Sequence, residues 1–463
     1  MTKTKDESIL SKSHENRYLK KEKGKPLYIS LYDMISEEIV SGQLRCGAKL
    51  LPRRELAVKL GISQNTVDSA YKMLVDTGYV ISVPRQGYIV NRRDGASENT
   101  PWETDAPETV VFSPNGIDTG HINRAAYARI LRDIAYNDGV DIFSYIEKGG
   151  ETELRMAISK YLYSFRSVKC SPEHIILGAG REYQLQAFAA MMSGKIFVTE
   201  NPCDGRLYNA LCEHGRKVRT LEANIGAFDF DALTKCSGNI LITEPDARFP
   251  RGTAMTVEER LRLLDEWKGY IVEICTDSEL CVKPLTPLYS LDTQNRVIYI
   301  GSFERALAPA IRTSYMVLPH ELLEQWKQFH TYYYALTSKT EQLALAEFIN
   351  KGYYTGHCRQ MKKLYSEKKQ YLTEHIKEAF GADCEVVSKN GGTYIAVRVG
   401  GDVAEIKRRA KACGVKLLSM NSFNVKKTEF KLRDDLLVIG AGDLALRDIK
   451  LGLRLLKENL RTD

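Results

Sequence analysis

The sequence predicts an α/β protein in two unequal parts: a small basic module over residues 26–91 and a large body over residues 111–463 built on a mainly parallel sheet. Three observations carry this. The chain has 463 residues, too many for one compact core, so two or three domains are expected. The stretch "NRRDGASENTPWETDAPET", Asn91 to Thr109, is polar, with Gly, Ser and two Pro and almost nothing apolar, which is a linker composition. Beyond it, apolar strand-like runs alternate with amphipathic stretches to the end, the order that lays helices on both faces of a parallel sheet.

Composition narrows the function classes. With 43% hydrophobic and 27% charged residues and no apolar run near the roughly 20 residues of a membrane span, the chain reads as globular and non-membrane. Its start, "MTKTKDESILSKSHENRYLKKEKGKP", lacks the apolar segment of a secretion signal, so a cytoplasmic location is expected. The ten cysteines form no CxxC pair and the eight histidines no HxH or HExxH spacing, which argues against a disulfide framework and a metal site. Residues 1–95 hold 17 Lys and Arg against 11 Asp and Glu, a net +6, while the whole chain carries only +7. A basic first fifth on a neutral body points to a polyanion partner for that fifth alone.

Residues 1–25 read as a mobile Lys-rich tail and 92–110 as the linker. Between them, "PLYISLYDMISEEIVSG" places Leu27, Leu31, Ile35 and Ile39 on one helical face and stops at Gly42. "RRELAVKLG" is a short second helix closed by Gly61. "ISQNTVDSAYKMLVDTGY" opens on Ser63 as an N-cap and turns Val67, Ala70, Tyr71 and Leu74 inward. Two helices joined by a short Gly-containing turn make a helix-turn-helix. "YVISVPRQGYIV" then gives two strands around Pro84, Arg85, Gln86 and Gly87, a wing with a basic tip. The third helix presents Ser63, Gln64, Asn65 and Thr66 to base edges; Gln and Asn pair bidentately with adenine. Arg53, Arg54 and Lys72 suit phosphates, and Arg85, with Gln86 and Gly87, extends the contact through the wing. The pattern and the charge bias agree on double-stranded DNA against a protein-interaction module. This stretch resembles the winged-helix domain of GntR-type bacterial regulators, including Arg-x-Leu-Ala at Arg54–Ala57 and Ser-x-x-Thr-Val at Ser63–Val67.

In the body, "HIILGAG", "KIFVTE", "NILITE", "GYIVEI", "RVIYIGSF" and "TSYMVL" are strand candidates. Ligands of such sheets sit beyond the carboxyl ends of the strands, here Gly178–Arg181, Glu200–Asp204, Pro245–Arg248, Ile274–Thr276 and Glu304–Arg305. The same segments, in order, are similar to a fold-type I aminotransferase domain with its small C-terminal α/β subdomain. The whole layout resembles the MocR subfamily, in which a GntR winged helix is linked to such a domain.

That resemblance implies a pyridoxal phosphate (PLP) site, and the chemistry is where this sequence departs. The family lysine aligns with Arg305, and a guanidinium, protonated up to a pKa above about 12, cannot add to an aldehyde. No Lys lies between Lys283 and Lys327, so a register slip does not supply one. The phosphate-binding serine aligns with Glu304, the carboxylate on the pyridine nitrogen with Ile274, its Tyr neighbour with Thr276, and a frequent aromatic with Asp204. These four changes predict a body without transaminase chemistry. Arg312 aligns with a phosphate-contacting Arg, Ala179, Gly180 and Arg181 lie on the phosphate-cup turn, and Arg248 adds charge. Two readings stay open: Glu304, Arg305 and Arg312 fill the old site as an internal ion-pair network, or the arginines take an anionic effector or PLP without a covalent bond. No catalytic residue and no covalent cofactor are assigned. The expectation is a homodimeric DNA-binding regulator.

Overall fold

The computed structural model describes residues 26–40, 44, 47–77, 79–83, 87–90, 110–136, 141–223, 225–281, 285–331, 335–388, 392–426 and 435–460. The expected tail, nearly all of the linker, Gly42 and the wing tip with Pro84, Arg85 and Gln86 lie outside the described residues. The chain divides into two compact units between Thr104 and Asp105. Among the described residues no helix is long and apolar enough to cross a membrane.

The first unit is three helices, Leu27–Val40, Arg53–Leu60 and Gln64–Asp76, and an antiparallel hairpin of Val80–Val83 with Gly87–Val90. Leu31 and Ile35 are buried as the i, i+4 spacing demands, with Leu27 and Ile39 half-buried beside them. Gly61 ends the second helix at φ 66°, a left-handed turn that favours glycine. The Ser63 hydroxyl then accepts the Thr66 amide at 3.2 Å, capping the third helix. That helix buries the four positions read from its pattern, Val67, Ala70, Tyr71 and Leu74. They pack with Leu31, Leu56 and Val80 into a small core of their own.

The second unit is built on a seven-stranded sheet in the order Ile175–Ala179, Thr313–Val317, Val297–Ser302, Tyr270–Cys275, Ile240–Thr243, Ile196–Asn201, Lys217–Glu222. All neighbours are parallel except Thr313–Val317, which runs against both its partners. It therefore starts where the others end, and Arg312, just ahead of it, joins their carboxyl ends. One strand, Lys217–Glu222 at the edge, was not among the six expected. A four-stranded antiparallel sheet forms the smaller C-terminal part. Val110–Val111 pairs with Val415–Lys416, and Val110 is buried, so Val110, expected in the linker, packs with the body.

Strand Val297–Ser302 is buried at every position and runs straight into the one-turn helix Phe303–Ala306. The Ser302 hydroxyl accepts the Glu304 amide at 3.1 Å. This junction fixes Glu304 and Arg305 at the carboxyl ends of the parallel strands.

Candidate functional site

In the first unit the residues expected to meet DNA divide between those that hold the fold and those that reach outward. Ser63 and Thr66 hydroxyls lie 2.8 Å apart and serve the cap, whereas Gln64 and Asn65 are exposed. Arg54 and Lys72 are exposed too. Arg53 reaches Asp68 on the third helix at 3.2 Å and sits 5.9 Å from the Tyr88 ring centroid, so it braces helix and wing. Gly87 opens the second hairpin strand at φ 96°.

In the second unit the strand ends bring most of the expected residues together, but in a different pairing. Arg305, 6% exposed, turns to Asp277: Nε lies 2.5 Å from Oδ1 and Nη2 3.3 Å from Oδ2. Its Nη2 also reaches the Thr393 hydroxyl at 2.9 Å and the Pro114 carbonyl at 3.3 Å. Burial works against the Arg305 charge, but the Asp277 carboxylate prevails and holds its pKa above the ordinary guanidinium value.

Glu304 does not meet Arg305. Its carboxylate lies 3.0 Å from Arg312 and 3.7 Å from Arg206. Glu182 lies 3.3 Å from Arg312 and 3.4 Å from Arg206. Two carboxylates thus sit on Arg312, the cation that the family resemblance assigns to phosphate. The phosphate-cup turn is engaged too. The Gly180 amide donates to Ser314 Oγ at 3.0 Å, and at φ 100° a Cβ on Gly180 would meet Arg312 Nη2 at 2.5 Å. Ala179 ends its strand opposite Thr313.

Arg181, only 1% exposed, folds inward. It donates to Thr276 Oγ1 at 2.7 Å and lies 3.5 Å from Asp204. Asp204 caps the helix Gly205–Cys212 and binds Arg206 at 2.8 Å. Burial opposes its charge, yet the Arg206 hydrogen bond and the two guanidinium charges keep Asp204 below the usual carboxylate range. Thr276 donates to Glu244 at 2.7 Å. Ile274 packs in the apolar cluster between the sheet and helix Arg181–Met191, out of reach of this polar set.

One expectation is corrected. Arg248 is not a spare cation of this group: it is 1% exposed and chelates Glu200 at 2.6 Å, which Arg251 shares at 2.9 Å. The pairing of Glu304, Arg305 and Arg312 is also revised, because Arg305 belongs to Asp277. Residues that the sequence reading missed are Glu182, Arg206, Glu244 and Asp277. The signal available for Asp277 was its place one residue beyond Thr276, where a buried arginine needs a counter-charge.

Burial pushes the Glu244 carboxyl up to about 7, with Arg181 opposing and Asp204 and Asp277 adding. Since its folded pKa exceeds the unfolded value near 4.3, the native state holds the proton longer, and stability falls as pH rises from about 4.3 to 7. Glu273, also pushed to about 7 by burial, acts in the same sense. Glu244→Gln is expected to flatten part of this fall, measured as urea midpoints across that range.

A cavity of about 20 Å³, lined among others by Asp204, Glu244 and Arg248, adjoins this set. That is room for about one water molecule and not for an aromatic ring.

Comparison with known proteins agrees with both units. The model of the family "Bacterial regulatory proteins, gntR family" matches residues 27–90. An uncharacterized HTH-type transcriptional regulator, YdeL of Bacillus subtilis (strain 168), is 31% identical over 85% of this chain and 88% of its own. The probable rhizopine catabolism regulatory protein MocR of Rhizobium meliloti is 29% identical over 81% of this chain and 82% of its own. Among solved structures, the multiple substrate aminotransferase of Thermococcus profundus matches with a TM-score of 0.66 at 20% identity, over 76% of this chain and 91% of its own. LysN, the alpha-aminoadipate aminotransferase of Thermus thermophilus, matches at 0.67 and 20%, over 76% and 92%. At that identity the likeness establishes the fold of the body. The chain belongs to the MocR subfamily of GntR-type transcriptional regulators, a DNA-binding winged helix carried with an aminotransferase-like domain.

Proposed function

We propose that this regulator works without transamination: its body forms no imine with PLP and serves the winged helix as a dimerising platform. One observation above the others supports the reading. The residue at the lysine position is a buried arginine committed through two nitrogens to Asp277. The other residues suit PLP no better. Glu304 and Glu182 place negative charge on Arg312 where a phosphate would need it free. Ile274 gives the pyridine nitrogen no carboxylate, and the Arg181 side chain lies across Thr276 and Asp204. Of the two readings left open, the internal ion-pair network is favoured, with Asp277 as an added member.

The body does bury two amines outside the aligned segment, Lys368 and Lys369 on helix Tyr353–Phe380. Lys368 bonds Gly442 O at 2.8 Å and Asp118 at 3.2 Å. Burial lowers the Lys369 pKa, while Cys281 and Asp277 oppose that. The experiment therefore tests every lysine: the protein is incubated with PLP, its absorbance scanned, and the mixture reduced with borohydride and digested for mass analysis. No stoichiometric phosphopyridoxyl-lysine is expected. Such an adduct on Lys369 or any other body lysine overturns the reading.

Dimerisation is supported by exposed apolar side chains on two linked segments. Phe143 and Tyr145 are 93% and 92% exposed, and Leu336 63%. The Lys339–Ser144 hydrogen bond of 2.7 Å ties their two segments together. A second copy of the chain would cover this apolar surface.

A further inference from the structure

A different charged cavity opens where helix Thr152–Arg166 ends against the segment following strand Tyr270–Cys275 and the first turns of helix Tyr353–Phe380. It measures about 140 Å³, and its polar lining is Arg166, Ser278, Glu279, Thr355, Arg359 and Lys362 beside Tyr161. It shares no lining residue with the Arg305 network.

Arg166 is 5% exposed, and its buried Nε has no hydrogen-bond partner among the described residues. Its Nη2 lies 2.7 Å from Asp246. That carboxylate is not devoted to Arg166, because it also lies 2.7 Å from Arg260 and accepts from Ser278 at 2.5 Å. Glu273 in turn stands 3.8 Å from Arg260. The lining's own carboxylate, Glu279, lies 3.4 Å from the Tyr161 hydroxyl. Burial raises its pKa, and Arg166 opposes the rise. Arg359 is exposed and Lys362 half-buried.

Arg166, Arg359 and Lys362 thus line the cavity with one carboxylate, Glu279, while Asp246 stands behind Arg166. Guanidinium groups bind phosphate and carboxylate oxygens through charge-assisted, often bidentate hydrogen bonds. The volume exceeds what one water needs but falls well short of a drug-sized pocket of about 300 Å³.

We propose that this cavity binds a small oxyanion, a phosphate or carboxylate group held between Arg166 and the Arg359–Lys362 pair. The proposal does not depend on how the strand-end site is read. The cavity gives this regulator a place, separate from the strand ends, to register an anionic metabolite.

The test uses the full chain in two titrations, inorganic phosphate and succinate, at ionic strength fixed with sodium chloride, followed by calorimetry and thermal shift. Saturable binding of at least one anion is expected, and the one that saturates names the source of the oxyanion. The double variant Arg359→Gln with Lys362→Gln should weaken it about tenfold or more. Both positions lie on the surface side, so the variant's urea midpoint should stay near that of the parent. Arg166 is left intact, since removing it strips Asp246 of a buried partner. Arg312→Gln, which alters the strand-end network, should leave the affinity where it was. The proposal is overturned if neither anion saturates, if the double variant binds as tightly as the parent, or if Arg312→Gln abolishes binding.

Discussion

Arg305→Ala is expected to remove about 3–5 kcal/mol of folding stability, the cost of leaving one member of a buried ion pair alone. Asp277 is 3% exposed, and without Arg305 it keeps the Gly392 amide at 3.1 Å, a neutral donor that cannot balance its charge. Urea denaturation of the full chain would show the loss as a lower midpoint of the body's transition. Combining Arg305→Met with Asp277→Asn removes both charges, so the double variant should recover most of what the alanine variant loses. Additive losses in the double variant would mean that the two residues do not act as a pair. The measurement is independent of any cofactor and speaks directly to what occupies the lysine position.

The second large effect belongs to the winged helix. Gln64→Ala and Asn65→Ala should each cost about 1–3 kcal/mol of operator affinity and change which bases are preferred, because these exposed amides are free to pair with base edges. Arg54→Ala should weaken binding to every sequence alike and reduce the salt slope by about one. Arg53→Ala combines a lost phosphate contact with a lost brace to Asp68, so it should lower stability of the small unit as well. Gel shifts on the DNA flanking its own gene, at several salt concentrations, separate these classes. The same gels, run on one half-site and on two, test the dimer: two half-sites should bind far more tightly.

How much of this was legible in the sequence depends on the range of the interaction. The third helix of the small unit was read down to its cap and its four inward residues, because capping and i, i+4 burial are set within a few positions. Six strands of the large sheet were found as apolar runs. The seventh, Lys217–Glu222, escaped because an edge strand alternates charged and apolar residues and buries little of itself. The reversed direction of Thr313–Val317 leaves no mark in a fully buried run. Partners of buried charges were the least readable. Arg305 was correctly placed at a strand end, but its choice of Asp277 over adjacent Glu304 is settled by three-dimensional packing. Arg248 was credited with a role at the strand ends because nothing local reveals that Glu200 and Arg251 enclose it. Lys369 shows the same limit from the other side: a search along the chain near position 305 could not find an amine delivered by a distant helix.

On the proposed reading, the two carboxylates seated on Arg312 make the absence of imine chemistry hard to reverse. Arg305→Lys would restore an amine, but beside Asp277 that amine stays protonated and is no nucleophile, while Glu304 and Glu182 still repel the phosphate. On the proposed reading, a return to imine chemistry would need several codons to change, those of Asp277, Glu304 and Glu182 among them. If the body works without transamination as proposed, these salt links act as a ratchet: mutation can wander around them, but the route toward an enzyme must break several at once.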